Sequence, residues 1–337
     1  EAEDTEIFDE NFDPRRKGDT SVIVSKPIPK RDSILSPIRD DQQVQTIKNE
    51  STNLSYNVDS IKANSNLIKR LISKSPKWIF NYIVSYGSGD NESGIVTNNL
   101  EVNYRVLDKK IYAQLKLPYI NVFGDLATTN GLGDLTLSMS YIALHKKKES
   151  LSFVAGVKIP TNQSDLSKNN KPLPMAYQTS LGSNDGLFGL NYRYDKWNIT
   201  FAYQHSFTSN NNKYLHNTLG GDDTYNSYFE SNQLRRADDG VFRINRSFLY
   251  KKATITSGAL FIYHMQNDTY VNSVGKRLEA KGSKGLTLNL NFSTIYPVSK
   301  KIDFTFIFAS PILIRDARPD GLTRKYVVMG GLRYNLK

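Results

Sequence analysis

The chain of 337 residues contains no cysteine. Disulfides and thiolate metal sites are therefore excluded. No apolar run approaches the roughly 20 residues that a membrane-spanning helix needs, so helical spanning is excluded too. Histidine is scarce: His145, His205, His216 and His264 are the only four, and none stands at metal-ligand spacing. No metal, no cofactor and no nucleic-acid partner are expected. The sequence begins at Glu1 without methionine and without a charged-then-apolar segment. The expectation is a mature chain whose signal peptide has been cleaved, with a trimmed chain as the equal alternative.

Aromatic residues, by contrast, are abundant, with 20 Tyr and 16 Phe, and the formal net charge is +11. A mean hydropathy of −0.48 reads as soluble. That average misleads for β-barrels, where half of every strand faces a polar interior.

Residues 1–75 differ from the rest. They open with the acidic "EAEDTEIFDENFD", continue through a proline-bearing polar stretch, and offer one short helix, Ile61 to Ile72, before Pro76. The remainder of this leader lacks alternation and reads as extended or partner-ordered chain. From Trp78 onward a period of two takes over. "GLTLNLNF" sets Leu286, Leu288, Leu290 and Phe292 against Thr287, Asn289 and Asn291. "KWIFNYIVSYG" sets Trp78, Phe80, Tyr82, Val84 and Tyr86 on one face, and "KIDFTFIFAS" sets Ile302, Phe304, Phe306 and Phe308 on one face. Twelve such segments follow one another. In "GVFRINRSFLY" Arg246 falls on the face of Phe242, Ile244 and Phe248, and in "KATITSGALFIYHM" the phase is undetermined.

Alternation alone fits a soluble sandwich or a membrane barrel. The connections discriminate, because they alternate short ("LDKK", "HKKKES", "YDKW", "YKKA", "VSKK") with long (87–96, 121–133, 160–185, 208–240, 266–285, 315–322). Outer-membrane barrels sort their loops in this way, with short periplasmic turns and longer extracellular loops. The fold expected is all-β: a transmembrane antiparallel up-and-down barrel of about 12 strands over 76–337, in the bacterial outer membrane, with both termini periplasmic and the apolar faces toward lipid. Every short turn carries lysine. Turn chemistry accounts for this, and attraction to anionic headgroups or to a periplasmic partner is the second reading.

"GLGDLTLSMSYIAL", "LSFVAGVKIPTN" and "MAYQTSLGSNDGLFGLNYRYDKWNITFAYQHSF" resemble the outer-membrane barrels associated with the meta-pathway of phenol degradation, distant relatives of FadL-type channels for hydrophobic compounds. Gly131, Gly133 and Asp134 match the family's Gly-x-Gly-Asp. Pro160 and Thr161 match its Pro-Thr-Gly, with Asn162 in place of the glycine, and Gly182, Ser183 and Asp185 match its later Gly-Ser-acid segment. The resemblance covers roughly residues 97–210, and the rest by strand rhythm only. It implies a transporter-like barrel, and the residue usage loosely suggests a Bacteroidetes-type source. The residues also read physically: Gly131 and Gly133 would permit positive φ at a tight rim. Asp134 would accept backbone N–H bonds, and Pro118 and Pro160 would end ladders at the loop side.

The interior is expected to carry Glu101, Arg105, Lys116, Lys158, Arg193, Arg243 and Asp303, a cationic excess. Such charges either brace the wall or set ion selectivity toward anions. His205 and Ser206 are adjacent on a strand and point to opposite faces, so no catalytic pair and no enzyme activity is expected. Asp222 and Asp223 in the longest loop read as solvated. The functional expectation is a passive channel for small solutes, hydrophobic ones included. The alternative is a structural or accessory subunit of an outer-membrane complex, docking partners through residues 1–75. Of two placements for the leader, a strap along a partner is favoured over a plug in the barrel.

Overall fold

The computed structural model describes residues 77–336 apart from 108–109, 217–222 and 322–323. The expected leader over 1–75, its short helix, Asp222 and the Asp223 side chain lie outside the described residues.

Twelve long strands make the wall: β1 (Trp78–Ser88), β2 (Gly94–Leu107), β3 (Ile111–Phe123), β5 (Leu135–His145), β6 (Glu149–Ile159), β9 (Asp185–Tyr194), β10 (Trp197–Ser206), β11 (Asp239–Tyr250), β12 (Ala253–His264), β15 (Gly285–Pro297), β16 (Ile302–Leu313) and β17 (Tyr326–Leu336). Five short strands stand in the connections: β4 (Thr128–Leu132), β7 (Ser167–Lys168), β8 (Lys171–Pro172), β13 (Thr269–Val271) and β14 (Arg277–Glu279). All wall pairings are antiparallel, and β17 pairs β1 from Trp78↔Leu336 to Ser88↔Tyr326, which closes the barrel. Closure leaves no edge strand in the wall.

The alternation has its physical cause in two solvents. On β1, Phe80, Tyr82, Val84 and Tyr86 are exposed, while Asn81, Ile83 and Ser85 are buried. On β5, Leu137, Met139 and Tyr141 are exposed against buried Thr136, Ser138 and Ser140. Large hydrocarbons outside and small polar groups inside are the reverse of a water-soluble protein. An apolar exterior that runs around the whole wall is a lipid-facing surface. Arg246 does point outward, opposite Trp197 on β10. The phase of β12 is now fixed: Leu260 and Ile262 face inward and Ser257 outward.

Two expectations about the connections are corrected. The first loop is not long, since β1 reaches Ser88 and β2 starts at Gly94, leaving 89–93. Gly87 and Ser88 pair as strand with Ile95 and Gly94 instead of opening a loop. Pro118 does not end β3, which continues to Phe123. At Pro118 the neighbour of β3 changes from β5, paired through Lys116, to β4, paired from Tyr119. The missing N–H falls at that change of partner, and the Pro118 carbonyl accepts Gly133 N–H at 2.8 Å. Pro160 follows β6 directly.

Candidate functional site: the inner face

The long connections fold onto the inner face of the wall at one end. Ile95 of β2 and Ile120 and Val122 of β3 pack with Leu173, Ala176, Tyr177, Tyr214, Tyr225 and Tyr228 from the segments 160–184 and 207–238. These loop residues bury apolar rings where a channel mouth would otherwise be water. Their polar atoms are matched. Gln178 bonds both the N–H and the carbonyl of Leu166, and Asn212 bonds the carbonyls of Ser164 and Leu173. Tyr177 and Tyr228 share a hydroxyl contact of 3.0 Å. Burial pushes the Tyr177 and Tyr214 phenols up from their ordinary pKa, so both stay neutral. A hydrogen bond to the Glu230 carboxylate, helped by burial, pushes Tyr270 up to about 12.

Below this cap lies a buried charge cluster. Lys158 stands 3.1 Å from Asp134 and 3.3 Å from Asp185. Arg236 reaches Asp185 and Asp239 at 3.2 Å each and Asp320 at 3.8 Å. Arg315 meets Asp320 at 3.3 Å, and the two nitrogens of His264 meet Asp239 at 2.7 Å and Asp268 at 2.8 Å. A ring with a carboxylate at each nitrogen suits the doubly protonated form, which donates from both. Four cationic groups thus interleave with five carboxylates. Interleaving is what makes such burial tolerable, since each ion's lost hydration is offset by opposite charge on several sides. The cluster ties the tops of β6, β9, β11 and β12 to segments 124–134, 207–238, 265–284 and 314–325.

The rim residues take part in this joint. Asp134 accepts Leu181 N–H at 3.2 Å, and Thr161 donates to the Gly133 carbonyl. Gly133 does not adopt a positive φ, contrary to the sequence reading. Its role is closeness, because a Cβ there would lie 2.8 Å from Pro118 Cγ. Gly131 does have a positive φ, 159°, as the sequence reading expected, and a Cβ would meet the Asn162 amide at 2.7 Å. Asn162 in turn bonds Thr179 at 3.0 Å, so the glycine's replacement fills the space beside it. Gly182, at φ +70, does sit in the left-handed region that favours glycine.

Glu101, Arg105, Lys116, Lys158, Arg193, Arg243 and Asp303 all project to the inner face. Cross-strand registers join several of them into one row. Asp303 lies opposite Arg333, Arg333 opposite Asn81, Asn81 opposite Glu101, and Glu101 opposite Lys116. Lys116 lies opposite Thr136, Thr136 opposite Lys158, and Lys158 opposite Asp185. The row climbs from the short-turn end, where Arg333 and Asp303 sit, to the charge cluster at the other. Asn81 donates to Glu101 at 3.2 Å, Lys116 stands 3.8 Å from Glu101, and Arg333 stands 4.0 Å from Asp303. Below the cluster the inner face holds Arg105, Lys116, Arg193, Arg243 and Arg333 against Glu101 and Asp303, five cations to two carboxylates. A second inner row, Val154, Gly189, Ala202, Val241 and Ile262, is apolar.

Sequence reasoning missed Arg236, Asp239, His264, Asp268, Arg315, Asp320 and Arg333. Asp239 and His264 are direct partners across β11 and β12, so fixing the phase of β12 would have exposed that pair. His205 faces outward against the Phe207 ring and contacts Asp238 at 2.7 Å, while Ser206 is buried inside. They form no catalytic pair. Among the described residues no group of acidic or histidine side chains has metal-binding geometry.

A closed twelve-stranded wall with hydrocarbon outside and charge inside defines a membrane-spanning β-barrel of the bacterial outer-membrane type. Among solved structures it is similar to the COG4313 outer membrane channel from Pseudomonas putida F1, with a TM-score of 0.53 and 13% identity over 77% of this chain and 96% of that one. The NanC porin follows with 0.47 and 12%, over 76% and 100%, and the CymD monoaromatic hydrocarbon channel with 0.40 and 8%, over 83% and 93%. No family model matches the sequence, and no curated protein matches it. At these identities the likeness is one of fold.

Proposed function

We propose that the protein is a passive outer-membrane channel for small solutes and that anions are preferred. The observation that carries this reading is the inner-face charge: Arg105, Lys116, Arg193, Arg243 and Arg333 outnumber Glu101 and Asp303. Low-dielectric walls focus such a field along the axis and set the sign of the favoured ion. The inner apolar row through Val154, Ala202, Val241 and Ile262 supports solutes that carry an apolar body. That feature agrees with the resemblance to the phenol meta-pathway barrels and with the hydrophobic substrates it implies.

The test is the reversal potential of the full chain in a planar bilayer under a salt gradient. Anion preference is expected, and Arg193→Glu with Arg243→Glu should move the potential toward cations. A cation-selective wild type would sink the anionic reading. A barrel that conducts nothing in any state would favour the second reading, an accessory subunit docking partners through residues 1–75. That reading is motivated by the length of the acidic, proline-bearing leader. It expects a stoichiometric complex on purification from native membranes.

A further inference from the structure

Three of the cation–π contacts among the described residues stand on the outer face at the short-turn end. Lys77 lies over Tyr104 at 5.5 Å, Arg246 over Trp197 at 5.2 Å, and Lys251 over Tyr250 at 5.5 Å. The last two follow one another along β11, with Arg246 four residues before Tyr250 and the turn into β12. Arg246 is directly opposite Trp197 on one side and Ser257 on the other. It shares its face with Phe242, Ile244 and Phe248, so its guanidinium stands on the lipid side of the wall. Trp197 is the first residue of β10, which places Arg246 level with the 195–196 turn. Lys196, Lys251 and Lys252 are exposed beside it, with Asp195 as the acidic group of these turns. Exposed Tyr194 and Tyr250 flank the site and mark the boundary where aromatic rings meet headgroups.

A guanidinium on the hydrocarbon face is costly unless an anion meets it, and its planar fork matches phosphate oxygens in pairs. A partner dissolved in the aqueous space would meet the lysines of the turns. It would not reach a side chain among Phe242, Ile244 and Phe248. We propose that Arg246, seated on the Trp197 ring, and Lys251, seated on the Tyr250 ring with Lys252 next to it, bind the phosphate headgroups of anionic phospholipids in the leaflet at the short-turn end. This rests on the membrane placement of the barrel. The aromatic rings hold the cations flat against the wall at headgroup depth, so little side-chain freedom is lost when the phosphate arrives.

The chain has two tryptophans, so Trp78→Phe leaves Trp197 as the sole reporter. The full chain carrying that change is reconstituted in mixed vesicles of phosphatidylglycerol and phosphatidylcholine, with brominated acyl chains on one lipid at a time. Phosphatidylglycerol should quench Trp197 as though enriched at least about fivefold at the site, the ratio that ~1 kcal/mol from a single basic residue corresponds to. Arg246→Gln with Lys251→Gln and Lys252→Gln should bring the two lipids to equal quenching. Arg246→Lys alone should retain part of the preference. Equal quenching in the parent protein overturns the site while leaving the barrel in the membrane. Quenching by neither lipid overturns the membrane placement and the site with it. Loss of the preference on adding excess glycerol phosphate would assign the chemistry to a free phosphate ester and overturn the lipid.

Discussion

At the scale of single residues, the wall is decided by which of two solvents each side chain meets. Phe292 is exposed on the outer face of β15, and its neighbour Ser293 turns inward. Phe292→Arg should cost about 2–4 kcal/mol near the membrane midplane, while Ser293→Arg should cost far less. Folding yields into vesicles measure the difference, and equal yields would contradict the assigned faces. Gly321 illustrates a different constraint. Its φ is +64, and a Cβ would overlap the backbone of Met175 and Ala176. Gly321→Val should lift 314–325 from the cap, seen as faster proteolytic nicking there with the barrel still intact in detergent.

At the scale of elements, strands were legible and their junctions were not. Period two is visible wherever the inner face is polar, as in "GLTLNLNF". It failed on β12, because Leu260 and Ile262 face inward while Ser257 faces out. There the inner face is apolar, and the sequence loses the contrast that the reading depends on. The charge cluster was legible only in part, through Asp134, Lys158 and Asp185. Arg236, Asp268, Arg315 and Asp320 come from loops without period. Only the fold brings them within hydrogen-bond reach. Arg236→Met should therefore be severe, because it strands Asp185 and Asp239 without their shared guanidinium. A loss of about 3–5 kcal/mol is expected, read as a lower temperature of the heat-shift in gel mobility. Loop parity predicts sidedness as well. A protease site inserted at 207–216 should be cut on intact cells, and one at 146–148 should not. Cleavage of the second on intact cells would invert the orientation.

At the scale of the whole molecule, the proposed anion preference rests on the net charge of the inner face. Glu101 is nearly inaccessible and lies between Asn81 and Lys116. Glu101→Gln would raise the balance below the cluster from five against two to five against one. The reversal potential should then move further toward anions, while the outer face and the short-turn rim are untouched. A shift in the opposite direction would mean that the current bypasses this wall.

The seam between β1 and β17 sets the order of events in biogenesis. Trp78 stands opposite Leu336, and Lys77 N–H donates to the Leu336 carbonyl at 2.9 Å, so the first wall strand waits for the last one to be synthesised before it has its second neighbour. Until then both strands present open edges, the condition under which chains associate with one another. Closure is thus a long-range step, slow by the cost of bringing distant segments together. The two edges stay unpaired until β17 is in place. The same seam brings the two ends of the wall side by side on one rim. A circular permutant that links residue 336 to residue 78 and opens the 146–148 turn should still close into the same cylinder.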